Sequence, residues 1–474
     1  MNERKVLLVN LIISVGSGER FLVWLPLGGP CCPQVKVLAG AEPFGRRIEA
    51  AAMAALGVAV AYREVLSYQV FLDGTEVYAL VKAHEPVEVP PGLVQLPLAQ
   101  LTGMRTDPLL LTLFQVAGHR AAAEQFAVHV GGEVQRALAK SAEYLEEKFT
   151  AEGGRCGWSQ YLSNDAVGVL SSAQGLLALA HTKIGSRYIA PTAACLKQSQ
   201  NEDGGWQVRH SLIGQPNDIS ITESTCYCMW ALLEAGRTPD ELAVARGAGW
   251  LLATQRGSGG WGASELTKET QVIATAFAVR VLARLGCYPK AVERGVDWLL
   301  SAQCPDGGWD YVRVLRKGKP SAAPTAHAVI SLLAAGIRPD EPAVARACVS
   351  LREKFSETEA EPWRSTIFDT LVDPNTGSRL TFRNYATPWA LIALYRAGSG
   401  FVDRYIQKGV TRLLDQQDDD GSWRCNGTIP SRTTMWAAHD AVYALTRVVG
   451  PTVVDRPVSM ECHNEACLEM EAQL

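Results

Sequence analysis

The sequence Gln200-Asn-Glu-Asp-Gly-Gly-Trp206 decides the fold, because the chain repeats its pattern three more times. Each copy places a tryptophan six residues after a glutamine, across a turn that contains glycine. The other copies are Gln255-Arg-Gly-Ser-Gly-Gly-Trp261, Gln303-Cys-Pro-Asp-Gly-Gly-Trp309 and Gln417-Asp-Asp-Asp-Gly-Ser-Trp423. Trp158 and Trp363 stand where two weaker copies are expected, which gives tryptophan steps of 48, 55, 48, 54 and 60 residues. Such a period indicates repeated helical units, and six units are enough to close a ring.

Each repeat contains two helical patterns. The first leads into the glutamine and has an apolar stripe, whereas the second follows the tryptophan and is apolar nearly all round. A helix that is apolar all round is buried, and one with a stripe packs outside it. These patterns predict a mainly α-helical protein with an α/α barrel of six inner and six outer helices, stapled by the Gln–Trp turns. In five copies the inner helix begins eleven residues before a glycine, at Thr225, Thr275, Thr325, Thr387 and His439.

Gln-x-x-Asp-Gly-Gly-Trp repeats on paired helices resemble the repeats of squalene–hopene cyclases and other class II terpene cyclases, and those of protein prenyltransferase β subunits. The resemblance covers residues 136–450, which is about two thirds of the chain. It implies an (α/α)6 barrel with an isoprenoid-like ligand inside. Because one fold hosts several activities, function has to be argued from the site.

The rest of the chain divides around this barrel. Residues 1–105 are predicted to form a separate small α/β domain, residues 106–135 a helical linker, and residues 451–474 a C-terminal tail. In the first domain, strand-like runs at 5–14, 20–27, 60–72 and 76–82 surround one helical pattern from Arg46 to Leu56. The first two runs are separated by a glycine-containing turn, so a hairpin is expected there rather than a secretory leader.

The order of strands and helix in residues 1–105 resembles a Nudix hydrolase domain. With the helix end at Gly57 as anchor, the positions of the three catalytic carboxylates are occupied by Ala51, Ala54 and Ala55. Nudix chemistry needs those carboxylates to hold Mg²⁺. The resemblance therefore implies a metal-dead module that binds or docks, a protein partner included. An unrelated small α/β domain is the alternative.

Composition excludes several classes of function. The net charge is −4 and the isoelectric point is about 6.1, so no basic surface for nucleic acid is expected. The 12 cysteines lack a pairing rhythm, which is typical of reduced thiols in a cytosolic protein. No apolar run is long enough to span a membrane. We expect a cytoplasmic location with peripheral membrane contact, and no cofactor.

Neither resemblance nor spacing supports a bound metal. Protein prenyltransferase β subunits hold zinc with an Asp-x-Cys pair, which occurs nowhere in this chain. The tail offers Cys462, His463 and Cys467, too few ligands at the wrong spacing for a zinc site.

One inner helix carries a candidate acid. Class II cyclases place Asp-x-Asp-Asp directly before the Thr-Ala of an inner helix, and the central Asp protonates an alkene or an epoxide. Only one copy has a carboxylate two residues before the start of its inner helix, and this is Glu223. Ile221 and Ser224 replace its acidic companions. The resemblance implies that Glu223 is the proton donor, suited to an epoxide or an allylic alcohol rather than an unactivated alkene. Ser220-x-x-Glu223 also fits a capping box, which is the alternative role.

A second polar pair lies on the last inner helix. His439 takes the place of the threonine in the other copies, and Asp440 takes that of the following alanine. Together they predict a base that quenches a cation or activates water. A hydrogen-bonded core pair is the alternative. Aromatic faces would stabilise a carbocation by cation–π contact, although such side chains can also be plain core. The candidate ligand-contacting residues are Tyr227, Trp230, Phe277, His327, Tyr385, Trp389 and Trp436.

The residues leave three functions open. The first is a terpene-cyclase-like enzyme that cyclises or isomerises an isoprenoid after protonation. The second is a catalytically silent barrel that binds an isoprenoid, a lipid or a peptide. The third, glycan cleavage, would need two carboxylates that face one another, and the inner helices offer few acids.

Overall fold

The computed structural model describes residues 6–15, 20–24, 32–38, 43–56, 58–71, 74–84, 89, 93–102, 104, 108–152, 154–160, 167–208, 219–311, 320–372, 379–383, 385–424 and 433–449. The chain divides into two compact units, Met1–His129 and Val130–Leu474. Helix α3 (Pro108–Glu147) runs through this division. The Cys462, His463 and Cys467 cluster of the tail lies outside the described residues.

The first unit is built on a mixed sheet. Its strand order is β4-β5-β1-β2-β6, and β3 also pairs with β1. The β1–β5 pair is parallel, and the other pairs are antiparallel. The strands are β1 (Val6–Val15), β2 (Arg20–Trp24), β3 (Gln34–Leu38), β4 (Val60–Phe71), β5 (Gly74–Ala83) and β6 (Leu93–Pro97), and the helices are α1 (Phe44–Leu56) and α2 (Leu98–Thr102).

Strand β1 separates two small cores, because successive side chains of a strand point to opposite faces. Leu11 packs on one face with Ile48 of α1. Ile12 packs on the other face, where Phe21 meets Phe114 of α3 edge to face at 5.2 Å. The predicted β1–β2 hairpin and α1 are confirmed, while β3 and β6 were missed as strands. The relation of this unit to Nudix domains stays a prediction.

The second unit contains the predicted barrel. Among its described residues the inner helices contact one another in a closed cycle, α4-α6-α8-α10-α12-α14 and back to α4. The helix that follows each inner helix, from α5 to α13, packs outside this ring. Residues 130–147 of α3 complete the outer layer. The inner helices are α4 (Val169–Thr182), α6 (Thr222–Glu234), α8 (Val272–Leu285), α10 (Ala322–Ala334), α12 (Ala386–Arg396) and α14 (Met435–Val448). The remaining outer helices are α5 (Ile189–Gln198), α7 (Leu242–Thr254), α9 (Pro289–Ser301), α11 (Pro342–Glu353) and α13 (Arg404–Asp415).

The Gln–Trp turns act as staples, as predicted. The amide of Gln255 donates to two carbonyls, that of Gly259 within its own turn (2.8 Å) and that of Ala291 on the next outer helix (2.9 Å). Gln200 and Gln303 make the equivalent pairs of bonds. The indole of Trp261 donates to the carbonyl of Leu251 at 2.7 Å, at the end of α7. Each turn thereby caps one outer helix and holds the next.

One position in each of these turns requires glycine. Gly259 has φ +94°, and a Cβ atom there would lie 2.4 Å from the carbonyl oxygen of Arg294. The same close approach recurs at Gly204, Gly307 and Gly421. A residue with a side chain would be strained at this φ and would push the next outer helix away.

The last turn closes the ring. The amide of Gln417 donates to Gly421 (3.1 Å) and to Ala137 (2.9 Å). Ala137 lies on α3, so the sixth turn holds the first outer helix by the same bond that joins consecutive repeats elsewhere.

We expect Gln417→Ala to lower the free energy of unfolding by about 1–3 kcal/mol, because two carbonyls lose a donor. Chemical denaturation followed by circular dichroism measures the change. Gln198 is exposed on outer helix α5, and Gln198→Ala serves as the matched control with little expected effect. Equal losses in both variants would show that the closing bond contributes nothing.

The expectation of reduced thiols is wrong for one pair of cysteines. Cys156 lies on β8 (Arg155–Gly157), which pairs with β7 (Thr150–Glu152), and forms a disulfide with Cys195 on α5. Cys226 and Cys228 are free and buried on α6, as expected of core thiols. The pair was missed because 39 residues separate its members, and only the packing of α5 beside β8 brings them together.

Within the described parts of the chain, no helix is long and apolar enough to cross a membrane.

Candidate functional site

A hydroxyl group near the start of each of five inner helices sets a common register. The backbone N–H of Trp206 donates to Thr225 Oγ1 at 3.0 Å. The tryptophans of four other repeats donate in the same way to Ser172, Thr275, Thr325 and Thr387. These five positions are therefore equivalent. We call this place in each inner helix the register position, and the other interior positions can be counted from it.

The sixth inner helix corrects the sequence alignment by one residue. The amide of Thr275 donates to the carbonyl of Gln271, the residue before α8, and in α14 the corresponding amide is that of Ala438, which donates to Thr434. Ala438, and not His439, is thus the equivalent of the threonines. The residue two positions earlier is Trp436 rather than Ala437. The error arose because α14 has no hydroxyl at the register position.

With this register, one side chain from each inner helix forms a layer across the barrel, two residues after the register position. We call this layer the belt. Contacts follow it around: Tyr227–Phe277 centroids lie 5.1 Å apart, Phe277–His327 4.9 Å and His327–Trp389 4.3 Å. The indole N–H of Trp389 then donates to Asp440 Oδ2 at 2.9 Å. The belt residues are Gln174, Tyr227, Phe277, His327, Trp389 and Asp440.

Glu223 lies four residues before the belt position of α6, one helical turn toward the N-terminal ends of the inner helices. Protein surrounds its carboxyl, and the residue keeps some accessible surface. Burial and the charge of Asp440 raise the pKa of Glu223 to about 7. The carboxyl therefore holds a proton near neutral pH and shares its interior with Asp440.

The capping role considered for Glu223 is not observed. Helix α6 is preceded by Ile221 and has no side-chain cap. The Ser220 hydroxyl instead bonds Asp203 (2.7 Å) and Asn201 (2.9 Å) of the preceding Gln–Trp turn. Among the described residues Glu223 makes no hydrogen bond, so its proton is available for another partner.

His439 and Asp440 form the expected pair, with Nδ1 and Oδ1 2.8 Å apart. Burial raises the pKa of Asp440, while the bonds from His439 and Trp389 oppose the shift. If Nδ1 carries the proton toward the carboxylate, Nε2 is left as the lone-pair nitrogen. Nε2 is buried and has no hydrogen-bond partner among the described residues. The pair has the arrangement of a base as well as that of a satisfied core pair.

One turn past the belt, the interior becomes cationic and aromatic. Arg280 stacks over Trp230, with its Cζ 4.1 Å from the ring centroid, and donates to the Tyr443 hydroxyl at 2.7 Å. His181 packs against Tyr443 at 4.8 Å. Burial lowers the pKa of His181 to about 4 and that of His327 to about 3, so both imidazoles are neutral at physiological pH.

The sequence-predicted residues separate into two groups. Glu223, His439, Asp440, Trp230 and four aromatic or histidine residues of the belt come together in the interior. Tyr385 does not join them by its hydroxyl, which donates to Gln416 at the end of α13 (2.6 Å). Trp436 lies in the layer of Glu223 and keeps accessible surface. Asp218, a carboxylate five residues before Glu223 that could act with it, lies outside the described residues.

Three interior residues were missed. Arg280 carried a signal, since it is the charged residue within an otherwise apolar stretch of α8. Gln174 and His181 lie on α4, whose repeat is too weak to align from sequence. Among the described residues no group of His, Cys, Asp or Glu side chains is arranged to hold a metal ion.

The raised pKa of Glu223 predicts a pH-dependent stability. The folded-state pKa of about 7 lies above the ordinary 4.5, so the folded protein binds the proton more tightly and loses stability as pH rises from 4.5 to 7. The loss is at most about 3 kcal/mol. We expect Glu223→Gln to remove it, so that the variant gains stability over the wild type across this window. Urea denaturation at pH 4.5 and pH 8 measures the difference, and a constant gap at both pH values would contradict the shift.

Parts of this chain are similar to known proteins. Residues 95–279 match the profile of the squalene–hopene cyclase C-terminal domain family. No curated protein gives a significant match. A structure of the type II terpene cyclase MstE from Scytonema in complex with merosterolic acid A (product) has a TM-score of 0.50 and 15% identity, covering 67% of this chain and 98% of that chain.

Two further solved structures are similar over much of the chain. A protein from Actinoplanes is 20% identical, with a TM-score of 0.47 and coverage of 67% of this chain and 100% of that chain. The ent-copalyl diphosphate synthase from Streptomyces platensis is 19% identical, with a TM-score of 0.41, and the match covers 60% of this chain and 50% of that chain. Together with the shared barrel fold, the family match confirms the resemblance that the Gln–Trp repeats predicted, to the squalene–hopene cyclase-like class II terpene cyclases.

Proposed function

We propose that this protein is a terpene-cyclase-like enzyme in which Glu223 protonates an isoprenoid held in the barrel interior. The observation that carries the proposal is the state of Glu223: burial and the charge of Asp440 raise its pKa to about 7, and its own charge acts on Tyr227 of the belt. A carboxyl that keeps its proton near neutral pH is poised to act as a general acid.

The same pKa limits the substrate. Class II cyclases place acidic companions beside the central Asp, and Glu223 has no hydrogen-bond donor that would stabilise its conjugate base among the described residues. An acid of this strength suits an epoxide or an allylic alcohol, where the proton is received by oxygen, better than an unactivated alkene. The product is then a cyclised or isomerised isoprenoid.

The later steps use the belt and the His439–Asp440 pair. The rings of Tyr227 and Phe277 offer their faces to a carbocation formed near Glu223. His439 Nε2, which is buried and has no hydrogen-bond partner among the described residues, would accept the proton whose loss ends the reaction. Asp440 would stabilise the resulting imidazolium. Aspartate and imidazole at 2.8 Å form a charge-assisted bond once the ring is protonated.

A binding-only barrel is the second candidate, and one observation favours it. Arg280 already fills part of the aromatic interior with a cation of the protein itself, at a depth where a cyclase would stabilise the cation of its substrate. Such a barrel would hold an isoprenoid, a lipid or a peptide without turnover.

Glycan cleavage is disfavoured by the contacts of Asp440. Its two oxygens are engaged by His439 and by Trp389. This leaves Asp440 badly placed to attack a sugar or activate a water opposite Glu223.

The test is product analysis by mass spectrometry. The purified protein is incubated with farnesyl and geranylgeranyl diphosphates, squalene, farnesol and the corresponding epoxides, with heat-denatured protein as control. We expect a cyclised or isomerised product from an epoxide or an allylic alcohol. Co-purification of unchanged ligand without turnover of any compound would favour the binding barrel instead.

A further inference from the structure

Arg280 holds a position that no other cation of the described barrel shares. Its side chain is 8% exposed, and its guanidinium carbon lies 4.1 Å from the Trp230 ring, 5.2 Å from Tyr443 and 5.6 Å from Trp389. Its charge acts on Tyr227, His327 and Asp440. The guanidinium therefore lies near the axis of the ring of inner helices, next to the belt.

The depth of Arg280 follows from the register. It comes five residues after the register position of α8, whereas Glu223 is two residues before that of α6. Seven residues along parallel inner helices correspond to about 10 Å. We call the part of the interior between the acid and the guanidinium the chamber, and the belt lies at its middle.

The layer of Arg280 keeps little accessible surface. Trp230 and Arg280 are 5% and 8% exposed, and the five belt residues other than Gln174 keep between 3% and 6%. The four remaining side chains in the layer of Arg280 have no accessible surface, and they are Leu177, Ile330, Ile392 and Tyr443. Packed side chains therefore surround the guanidinium within its own layer.

We propose that Arg280 is the floor of the chamber and a specificity-determining residue, restricting the barrel to isoprenoids of two or three isoprene units. This inference rests on the proposed function and adds the substrate class. A chain of four units or more would have to displace the guanidinium from its stack on Trp230. The positive charge also opposes a carbocation beside Trp230 or Trp389, the rings next to which it lies, so we expect the substrate's charge nearer to Glu223.

The test compares chain lengths by binding, so it needs no turnover. Geraniol, farnesol, geranylgeraniol and farnesyl diphosphate are titrated by isothermal calorimetry into the wild type, Arg280→Met and Arg284→Met. Methionine keeps much of the length of arginine without its charge or planar stack. Arg284 lies one turn further along α8 and pairs with Glu234 at 2.7 Å, so its variant is the matched control.

We expect the wild type and Arg284→Met to bind farnesol at least tenfold more tightly than geranylgeraniol, and Arg280→Met to lose this preference. Equal binding of the two alcohols by the wild type would overturn the floor. A second result would also overturn it. If the wild type bound farnesyl diphosphate much more tightly than farnesol, and Arg280→Met abolished this difference, the guanidinium would be a site for the diphosphate head group. If the methionine variant does not fold, Arg280→Ala with added guanidinium ion replaces it, and the added ion should restore the preference for farnesol.

Failure of the proposed function gives a different result. If no isoprenoid binds to any variant, xenon-pressurised crystals of the wild type and Arg280→Met still locate the internal space. If xenon binds past the belt in Arg280→Met but not in the wild type, Arg280 is the floor of the chamber even though no isoprenoid binds there. Xenon on the far side of Arg280 in the wild type contradicts it.

Discussion

Replacing Glu223 by glutamine is expected to slow product formation at least 100-fold, the usual range for loss of a general acid. Glutamine keeps the shape of the side chain but has no acidic proton to deliver. Because Glu223 makes no hydrogen bond among the described residues, the variant should fold as the wild type does. Mass-spectrometric initial rates on the substrate that the wild type converts measure the effect. Glu265→Gln, at an exposed position, is the matched control and should leave the rate unchanged.

The pH profile separates an acid from a mere contact. With a pKa of about 7, the protonated fraction of Glu223 is nearly complete at pH 6 and falls tenfold per unit well above pH 7. The wild-type rate should fall with it. Aspartate at 223 keeps an acid at a shorter reach, and we expect it to retain part of the activity. A glutamine variant that turns over at the wild-type rate would remove Glu223 from the mechanism.

The barrel could be predicted from sequence because each repeat carries its own staple. Glutamine, glycine and tryptophan lie within seven residues, and their bonds go to the ends of neighbouring helices. The glycines that end the inner helices could be predicted for a similar local reason. Gly236, Gly286, Gly336 and Gly398 have φ between +73° and +100°, a conformation that a side chain disfavours. Lys183 takes the same conformation after α4, so the first repeat left no such signal.

The interior was harder to predict because its order depends on register between helices. One missing hydroxyl in α14 shifted the alignment of His439 and Asp440 by a residue, and only the bonds of the helix start correct it. Glu223 could be found because a carboxyl is rare on these apolar helices. The bond between Trp389 and Asp440 joins residues 51 positions apart, and sequence spacing does not reveal such a contact.

Replacing Trp261 by alanine should lower the free energy of unfolding by about 3–5 kcal/mol, as for other large-to-small changes in a core. Trp261 has no exposed surface, and its indole fills the space beneath its Gln–Trp turn. Chemical denaturation measures the loss. A fall of less than about 1 kcal/mol would show that the turn does not depend on its tryptophan.

Phenylalanine at the same position isolates the hydrogen bond. Trp261→Phe keeps most of the apolar volume but leaves the Leu251 carbonyl without its donor at 2.7 Å, a loss of about 1–3 kcal/mol beyond the change in volume. Trp250, one residue before Leu251, is 3% exposed and its indole N–H has no partner among the described residues. Trp250→Phe therefore carries the change in volume without a lost bond. The phenylalanine variant at 261 should be the less stable of the two, because stapling depends on the indole N–H and not only on a buried ring. Equal stabilities would mean that the tryptophans hold the repeats together by packing alone.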